Sequence, residues 1–294
     1  MNKIIVIYGP TAIGKSNIAI QLAKKINAEI ISADSIQIYK GVDIGSAKVT
    51  LDEMQGIPHH LINIKNPDEE YSVYEFVKDC KEKINDIIKR EKNIIIVGGT
   101  GLYIKALTEN YNYAETVKNQ ELREKLERCQ TCELIEILKS YNKQLKHDDL
   151  NNRQRLIRYI EIAQSGNTFK KNNFDNRFVI FGLYTDRKIL YERINKRIDE
   201  MACKGLLDEA KFLLNEYNSN SQCLKAIGYK ELIPYFNGEK SLNECLEILK
   251  QRTRNYAKRQ ITFFNQFKNL IKIKVNSKQQ VIEDIIKNIE DKNG

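Results

Sequence analysis

Apolar positions in the first hundred residues fall into short unbroken runs, separated by stretches with helical spacing. Ile4–Tyr8 is one run, ending at Gly9, and Lys15–Ile26 follows with the rhythm of a helix. Residues 29–32 form a second run, closing on Ala33-Asp34-Ser35. Within 74–90, Phe76, Val77, Ile84, Ile87 and Ile88 recur at helical intervals, and 94–97 is a third buried strand running into Gly98-Gly99. Strands that alternate with helices predict a parallel sheet with crossover connections.

The pattern changes near Asn112. From there to about Asn173 the chain offers charge-rich helical stretches and no strand candidate. The strand signal returns at 178–183, followed by Asp186 and a helix with Leu190, Ile194, Ile198 and Met201 on one face. A helical block between two strands predicts a module inserted into a sheet domain. The expected division is 1–112 with 174–294 as the core, and 113–173 as the inserted helical subdomain. The last third is mostly helical, with a late alternating run at 270–275.

A chain of 294 residues accommodates one large α/β domain with an added module. The formal net charge of +9 favours a polyanionic partner without identifying it. No apolar run approaches the ~18–20 residues needed to span a bilayer, so no membrane partner is expected. The start, MNKIIVIYGP, has the form of a first strand and lacks the long apolar region and small-residue cleavage site of a signal peptide, so a cytoplasmic location is expected. The six cysteines are then expected as reduced thiols, and Cys129 with Cys132 is a lone C-x-x-C without a second pair.

The candidate chemistry begins at Gly9-Pro10-Thr11-Ala12-Ile13-Gly14-Lys15-Ser16, a complete G-x-x-x-x-G-K-[ST] phosphate loop between a strand and a helix. Loop and helix-start N–H groups bind phosphate oxygens, Lys15 adds a charge, and the Ser16 hydroxyl is placed to ligate Mg²⁺. The fold class is therefore α/β, a P-loop NTPase-like parallel sheet with flanking helices, plus the inserted all-helical subdomain. NTPases of this type usually carry an Asp at the end of a later strand. Here 94–97 ends in Gly98-Gly99-Thr100, and the acid stands instead at Asp34. Ligands gather at the carboxyl ends of strands, so residues 9–16, Asp34 and Thr100 are expected in one crevice. Phosphate-binding parts beside a carboxylate, without that second acid, suit a reaction in which phosphate leaves without being hydrolysed.

Further strings complete the picture: Asp34-Ser35-Ile36-Gln37-Ile38-Tyr39, Asp43-Ile44-Gly45-Ser46-Ala47-Lys48, Pro58-His59-His60-Leu61, Gly98-Gly99-Thr100-Gly101-Leu102-Tyr103, Ile227-Gly228-Tyr229-Lys230-Glu231 and Thr253-Arg254-Asn255-Tyr256-Ala257-Lys258-Arg259-Gln260. In this order and at these intervals, from Ile4 to about Phe264, the chain resembles the tRNA dimethylallyltransferase (tRNA isopentenyltransferase) family. It is similar to the shorter bacterial form, with no Cys/His finger after the core. The resemblance implies an enzyme, a prenyl transferase, moving a dimethylallyl group from dimethylallyl diphosphate to N6 of the adenosine immediately 3′ of the anticodon in tRNA. It implies Mg²⁺ with the donor at the P-loop, Asp34 as general base, Thr100 against the same nucleotide, and residues Asp34, Ser35, Ile36 and Gln37 lining its pocket. A diphosphate-guarding arginine belongs on the helix after Asp186, where Arg193 and Arg197 remain alternatives. The partners implied are the donor and the tRNA anticodon stem-loop, with the protein acting as a monomer.

From Lys250 to Ile282 the chain has no acid but nine basic residues, Arg252, Lys258 and Arg259 among them. On a helix, Arg252, Tyr256, Arg259 and Phe263 share one stripe, expected to face a partner, while Leu249, Thr253, Ala257 and Phe264 share another that can pack. Basic residues interleaved with aromatics suit phosphate contact and base stacking. The resemblance places tRNA contacts at Lys225, Ala226, Ile227, Gly228, Tyr229 and Lys230, and at Lys258, Arg259, Gln260, Ile261, Thr262, Phe263, Phe264 and Asn265. It also places them at Gln154, Arg155, Leu156, Ile157 and Arg158 in the inserted block. The family usually shows Trp at the position of Phe263, so a ring is kept and an indole N–H is absent. His59 and His60 are expected on a loop, in packing or pocket roles. Two alternatives share the P-loop: a nucleotide kinase, and a prenyltransferase acting on free adenine nucleotides. The kinase leaves the basic C-terminal helix unexplained, and the second enzyme would have little use for the inserted block or the acid-free basic stretch.

Overall fold

Among the described residues six strands form one sheet: β1 (Ile4–Tyr8), β2 (Ala28–Ser32), β3 (His59–His60), β4 (Asn93–Gly98), β5 (Phe178–Tyr184) and β6 (Leu270–Lys274). Their order is β3-β2-β4-β1-β5-β6 and every pairing is parallel. β1 lies between β4 and β5, with Ile5 level with Ile95 and Val179. All five residues of β1 and all five of β2 are buried, which is why β1 runs apolar without alternation: helices cover both faces of a parallel sheet. This computed structural model describes residues 3–109, 119–141, 150–165, 174–218 and 221–293.

The helices in chain order are α1 (Lys15–Ile26), α2 (Leu51–Met54), α3 (Val73–Lys89), α4 (Gly101–Thr108), α5 (Gln120–Arg128), α6 (Thr131–Ser140), α7 (Arg153–Gln164), α8 (Arg187–Cys203), α9 (Leu206–Glu216), α10 (Ile233–Phe236), α11 (Leu242–Phe263) and α12 (Lys278–Asn293). α3 and α11 start with capping boxes, Ser72 with Glu75 and Ser241 with Glu244. In each the hydroxyl accepts from a first-turn N–H and the glutamate accepts from the cap N–H, so the helix start is fixed locally. α3 then buries Phe76, Val77, Cys80, Ile84 and Ile87, and Phe76 stacks on Tyr103 of α4 with centroids 4.3 Å apart.

The chain divides into two compact units, Met1–Thr108 with Asp175–Gly294, and Glu109–Phe174. Residues 112, 113 and 173, where the expected boundaries fall, lie outside the described set. The described part of the second unit contains only α5, α6 and α7, packed around Leu126, Leu134, Leu138, Leu156, Ile157 and Ile160. Arg153 closes the end of α5 by donating to the carbonyls of Leu126 (3.2 Å), Glu127 (2.7 Å) and Cys129. These are carbonyls that a helix terminus leaves without partners.

One expectation needs correction. His59 and His60 are not in a loop: they form the edge strand β3, paired with Ile30 and Ile31. Polar side chains hid this strand, and it is stabilised from outside itself. His60 Nε2 lies 2.6 Å from Glu29 Oε2, which also accepts from Arg90 Nη2 at 2.7 Å. Hydrogen bonding from Arg90 holds the Glu29 carboxyl below the usual range against the opposing effect of burial. All six cysteines are free thiols. No helix among the described residues is long and apolar enough to cross a membrane.

Candidate active site

β1 ends at Tyr8 and the chain turns through the phosphate loop into α1. Ala12 (φ 61°) and Gly14 (φ 98°) sit in the left-handed region, bending the loop so that it enters α1 at Lys15. The Lys15 ammonium donates to the Pro10 carbonyl at 2.8 Å. Burial pulls its pKa down to about 7, with Asp34 opposing and Arg197 adding to the drop. Thr11 is held from two sides: Arg197 Nη1 donates to its Oγ1 at 3.3 Å, and its N–H donates to Gln260 Oε1 at 2.9 Å.

Asp34 follows β2, and Gly98 explains why β4 can end beside it. A Cβ on Gly98 would lie 2.1 Å from the Ala33 carbonyl oxygen, so only glycine lets the two strand ends approach this closely. Thr100 N–H donates to the same Ala33 carbonyl at 3.3 Å. Asp34 Oδ1 accepts from the N–H groups of Ile36 (2.9 Å) and Gln37 (3.4 Å), closing an Asx turn. Thr100 Oγ1 accepts from Ser35 N–H at 3.1 Å and lies 3.3 Å from Ser35 Oγ.

These parts surround a cavity of about 370 Å³. Thr11, Ala12, Lys15 and Ser16 line it from the phosphate loop. Asp34, Ser35, Ile36 and Gln37 line it from the turn after β2, and Gly98 and Gly99 from the end of β4. Ile62, Ile194, Ile198, Met201, Leu206 and Leu249 add an apolar wall. A second space of about 400 Å³ borders Gly14, Lys15, Ser16 and Arg197 on the loop's other side. The alternatives Arg193 and Arg197 separate clearly: Arg197 lines both spaces, whereas Arg193 is exposed to solvent. Of the other predicted loop residues, Ile13 is core and Gly9 packs against Leu183. Thr100 is not in the cavity wall; it stands behind Asp34, bonded to Ser35 and to the Tyr256 hydroxyl.

The predicted RNA-facing residues divide by burial. Lys225, Lys230, Gln154, Arg155, Lys258, Arg259, Thr262 and Asn265 are exposed, and Ile261 is half-buried. Ala226 and Ile227 are half-buried in the cavity wall. Six others are buried. Leu156 and Ile157 are core of the helical unit. Tyr229 is buried with its hydroxyl donating to Glu209 at 2.8 Å, Phe264 packs edge-on against Tyr8 with centroids 5.0 Å apart, and Gln260 is buried. Gly228 is buried as well, its N–H donating to Glu231 at 2.9 Å. Apolar side chains inside a recognition motif hold up the helix or loop that presents its charges.

The basic stripe is also narrower than its spacing suggested. Tyr256 and Phe263 turn inward: burial raises the Tyr256 phenol pKa, with Asp34 nearby adding to it. Phe263 lies against Gly101 and meets Phe267 edge-on at 5.6 Å. Lys250 pairs with Asp199 (2.8 Å), Arg252 lies 3.6 Å from Glu231, Arg254 donates to Asn195 (2.7 Å), and Lys274 pairs with Asp186 (3.2 Å). Arg158 pairs with Glu161 at 3.0 Å. Acids from other segments, invisible in a count over 250–282, lie within 4 Å of three of its nine cations.

Sequence reasoning missed Glu209 of α9. Its carboxylate accepts from the N–H groups of Asp43 (2.9 Å), Ile44 (2.7 Å) and Gly45 (2.8 Å) as well as from Tyr229. It thereby fastens the loop carrying Gly45, Ser46 and Ala47 to the segment carrying Ala226, Ile227 and Gly228, all of which line the cavity. The strings at both ends were visible; the acid joining them lies more than 160 residues from the first.

Fold and site together define a P-loop enzyme of a particular kind, with a phosphate cradle, a carboxylate and an apolar wall around one cavity. The IPP transferase family model matches residues 37–267. That match starts beyond the phosphate loop, so loop and model are separate observations. The chain is 45% identical over 270 residues to a tRNA dimethylallyltransferase of Anoxybacillus flavithermus, covering 89% of this chain and 87% of the relative. It is 45% identical over 266 residues to that of Lactococcus lactis, covering 90% and 89%. The crystal structure of a tRNA isopentenylpyrophosphate transferase from Bacillus halodurans superposes with a TM-score of 0.77 at 36% identity, covering 100% of this chain and 98% of that one. A eukaryotic dimethylallyltransferase acting on tRNA superposes with a TM-score of 0.78 at 29% identity, covering 98% and 80%. The chain belongs to the IPP transferase family.

Proposed function

We propose that this protein transfers a dimethylallyl group from dimethylallyl diphosphate to N6 of the adenosine immediately 3′ of the anticodon in tRNA. That it is a tRNA-prenylating enzyme follows from the family; the atom, the position and the residue roles are our reading. The observation that carries them is the meeting of Lys15, Ser16, Arg197 and Asp34 on one cavity with an apolar wall. In the reaction the C1–O bond of the donor breaks, the N6–C1 bond forms, diphosphate departs and the amine loses a proton. An exocyclic amine is a weak nucleophile because its lone pair is delocalised, so a carboxylate within reach assists by taking that proton. Asp34 has that role, and the Asx turn and the Ser35–Thr100 contact hold its orientation. Lys15, Arg197 and the loop N–H groups stabilise the growing charge on the leaving diphosphate. Ile194, Ile198 and Met201 give the five-carbon chain an apolar surface. The acceptor base leaves its stack to reach a cavity of this kind, which favours an anticodon stem-loop, where bases are already unpaired.

Mg²⁺ fits the donor set. The Ser16 hydroxyl opens on the cavity beside the phosphate loop and would supply one of the hard oxygen ligands this ion prefers, leaving the Asp34 carboxylate free as the base. Among the described residues no cluster of three His, Cys, Asp or Glu side chains could hold an ion, so substrate phosphates and water would complete its shell, a common arrangement for Mg²⁺. When bound it neutralises charge on the diphosphate. The protein is expected to act as a monomer in the cytoplasm.

The test is incubation of purified protein with dimethylallyl diphosphate, Mg²⁺ and either tRNA or AMP, followed by nucleoside analysis. N6-prenyl adenosine in the tRNA arm alone is expected. Product from AMP would point to the free-nucleotide alternative, and phosphoryl transfer from ATP to AMP would point to the kinase.

A further inference from the structure

Gln260 stands in the most basic segment of the chain, yet it is only 5% exposed and cannot reach a polyanion on the surface. Its amide points the other way. Oε1 accepts from Thr11 N–H in the phosphate loop at 2.9 Å, and Nε2 donates to the Gly99 carbonyl at 2.9 Å. Its own carbonyl accepts from the Tyr8 hydroxyl at 2.7 Å, and its side chain shares a further hydrogen bond with Tyr256. One residue of α11 thus joins the end of β1, the phosphate loop and the end of β4. The fit is tight, since a Cβ on Gly99 would lie 2.3 Å from Gln260 Nε2.

We propose that Gln260, which lines the cavity, is a positioning residue for the diphosphate site and not a contact for the RNA backbone at the surface. A phosphate loop binds through backbone N–H groups whose directions must be fixed beforehand, because reorganising them in the complex would consume binding energy. Glycine-rich loops do not hold such directions unaided. Here Gln260 clamps the first half of the loop at Thr11, Arg197 fixes the Thr11 hydroxyl, and Gly99 anchors the amide from the facing strand end. Gln is suited to this position because it offers an acceptor and a donor on one planar group. Glu lacks the donor for Gly99, and Met lacks both. The exposed face of α11 and its buried face therefore serve different substrates: Lys258 faces outward, and Gln260 sets the donor site.

The proposal rests on the prenyl-transfer reading, and inorganic diphosphate tests it independently of turnover. Gln260→Met and Gln260→Glu are compared with wild type by calorimetric titration with diphosphate and Mg²⁺, by tRNA Kd at two salt concentrations, and by thermal melting. The expected result is diphosphate binding weakened about tenfold or more, the scale of removing one or two hydrogen bonds, with tRNA Kd and its salt dependence within about twofold of wild type. Gln260→Glu keeps the acceptor for Thr11 and guards against loss of the fold in Gln260→Met. Gly99→Ala should displace the amide and reproduce the diphosphate defect. Diphosphate affinity at the wild-type value in folded variants, or weakened tRNA binding with unchanged diphosphate affinity, would overturn the assignment. If wild type failed to prenylate tRNA while the diphosphate defect persisted, the functional reading would fall and the role of Gln260 would stand.

Discussion

Both units bury or half-bury polar side chains, but they hold them in different ways. Around the cavity of the sheet unit, each is fixed by a partner from a distant segment: Gln260 by Thr11, Glu209 by Gly45, Arg197 by Thr11 and Thr100 by Ser35. The charged side chains lining the cavity are Asp34, Lys15, Arg197, Lys225 and Arg259. In the helical unit, Glu161 has no exposed side-chain surface and is closed by Arg123 and Arg158, while Gln154 and Arg155 point out from α7. The sheet unit keeps charge facing a space where a ligand belongs, and the helical unit consumes its buried charge internally. Substitutions should therefore separate: in the cavity they should cost chemistry with little stability, and in the helical unit stability with little chemistry.

The largest effect expected is from Asp34→Asn. Asparagine keeps an oxygen for the Ile36 and Gln37 N–H groups, so the turn survives while the base is removed. kcat should fall by about 10²–10⁴-fold, with the melting temperature and tRNA Kd near wild type. A kcat close to wild type would remove Asp34 from the mechanism and the contrast with it.

Glu161→Ala should do the reverse. Removing one member of a buried ion cluster leaves the others uncompensated and costs about 3–5 kcal/mol. Denaturant unfolding should show this loss in the helical unit, while diphosphate binding by the sheet unit stays at its wild-type value. Burial pushes the Glu161 carboxyl up, but its bonds to Arg123 and Arg158 outweigh that and hold it low. Its folded pKa thus lies below its unfolded value. The contribution is present above the unfolded carboxylate range and is lost as pH falls through the folded value. Unchanged unfolding at neutral pH would show that the cluster is ornamental to the fold.

The third effect is a pH dependence that divides binding from stability at one residue. The Lys15 ammonium, with a pKa of about 7 in the folded protein, gives up its proton as pH rises through that value, with Asp34 and Arg197 facing it. Donor kcat/KM, which reports the free enzyme, should fall by up to about tenfold per pH unit above 7. Bound diphosphate draws the proton back, so kcat should decline later. Stability should move oppositely. The unfolded lysine holds its proton to a pKa of roughly 10.4, so between these values the unfolded state binds more protons and stability rises with pH. Lys15→Ala should flatten both trends; a retained fall in kcat/KM would assign the titration elsewhere.

What could be read from the chain follows the same division between local and distant partners. β1, the phosphate loop and α1 were legible almost to the residue because unbroken apolar runs and helical spacing are local signals. β5 was legible for the same reason. β3 was not, because His59 and His60 become a strand only by pairing with Ile30 and Ile31. The phosphate loop and Asp34 were identifiable at once, yet Glu209 and the true orientation of Gln260 were not. Their partners lie 164 to 166 and 249 residues away, and no local pattern encodes such pairings. Choosing Arg197 over Arg193 required the helix to be seated on the sheet before its inward face was known.

The smallest effect is the one that best maps the outward face of α11. Nine basic residues in an acid-free run suggested a continuous RNA-binding stripe, but Lys250, Arg252 and Lys274 are drawn toward acids, while Lys258 and Arg259 remain exposed. Each phosphate neutralised in a tRNA complex releases counterions, so removing one cation that faces a phosphate should lower the slope of log K against log salt by roughly 0.7–0.9. The double variant Lys258→Ala with Arg259→Ala should therefore weaken tRNA binding at low salt and lower that slope by up to about two such steps. Arg252→Ala should change the slope by less than one step, because Glu231 already offsets its charge. Diphosphate affinity should be unaltered in Arg252→Ala, since Arg252 does not line the cavity. Arg259 also covers the Tyr256 ring at 5.7 Å, so Arg259→Lys, which keeps charge without the planar stack, separates charge from packing: it should restore the slope. Kd measured at two or more salt concentrations decides the outcome. A slope change of one full step or more for Arg252→Ala would mean that RNA breaks the Glu231 contact on binding, and that the face is as broad as its sequence first suggested.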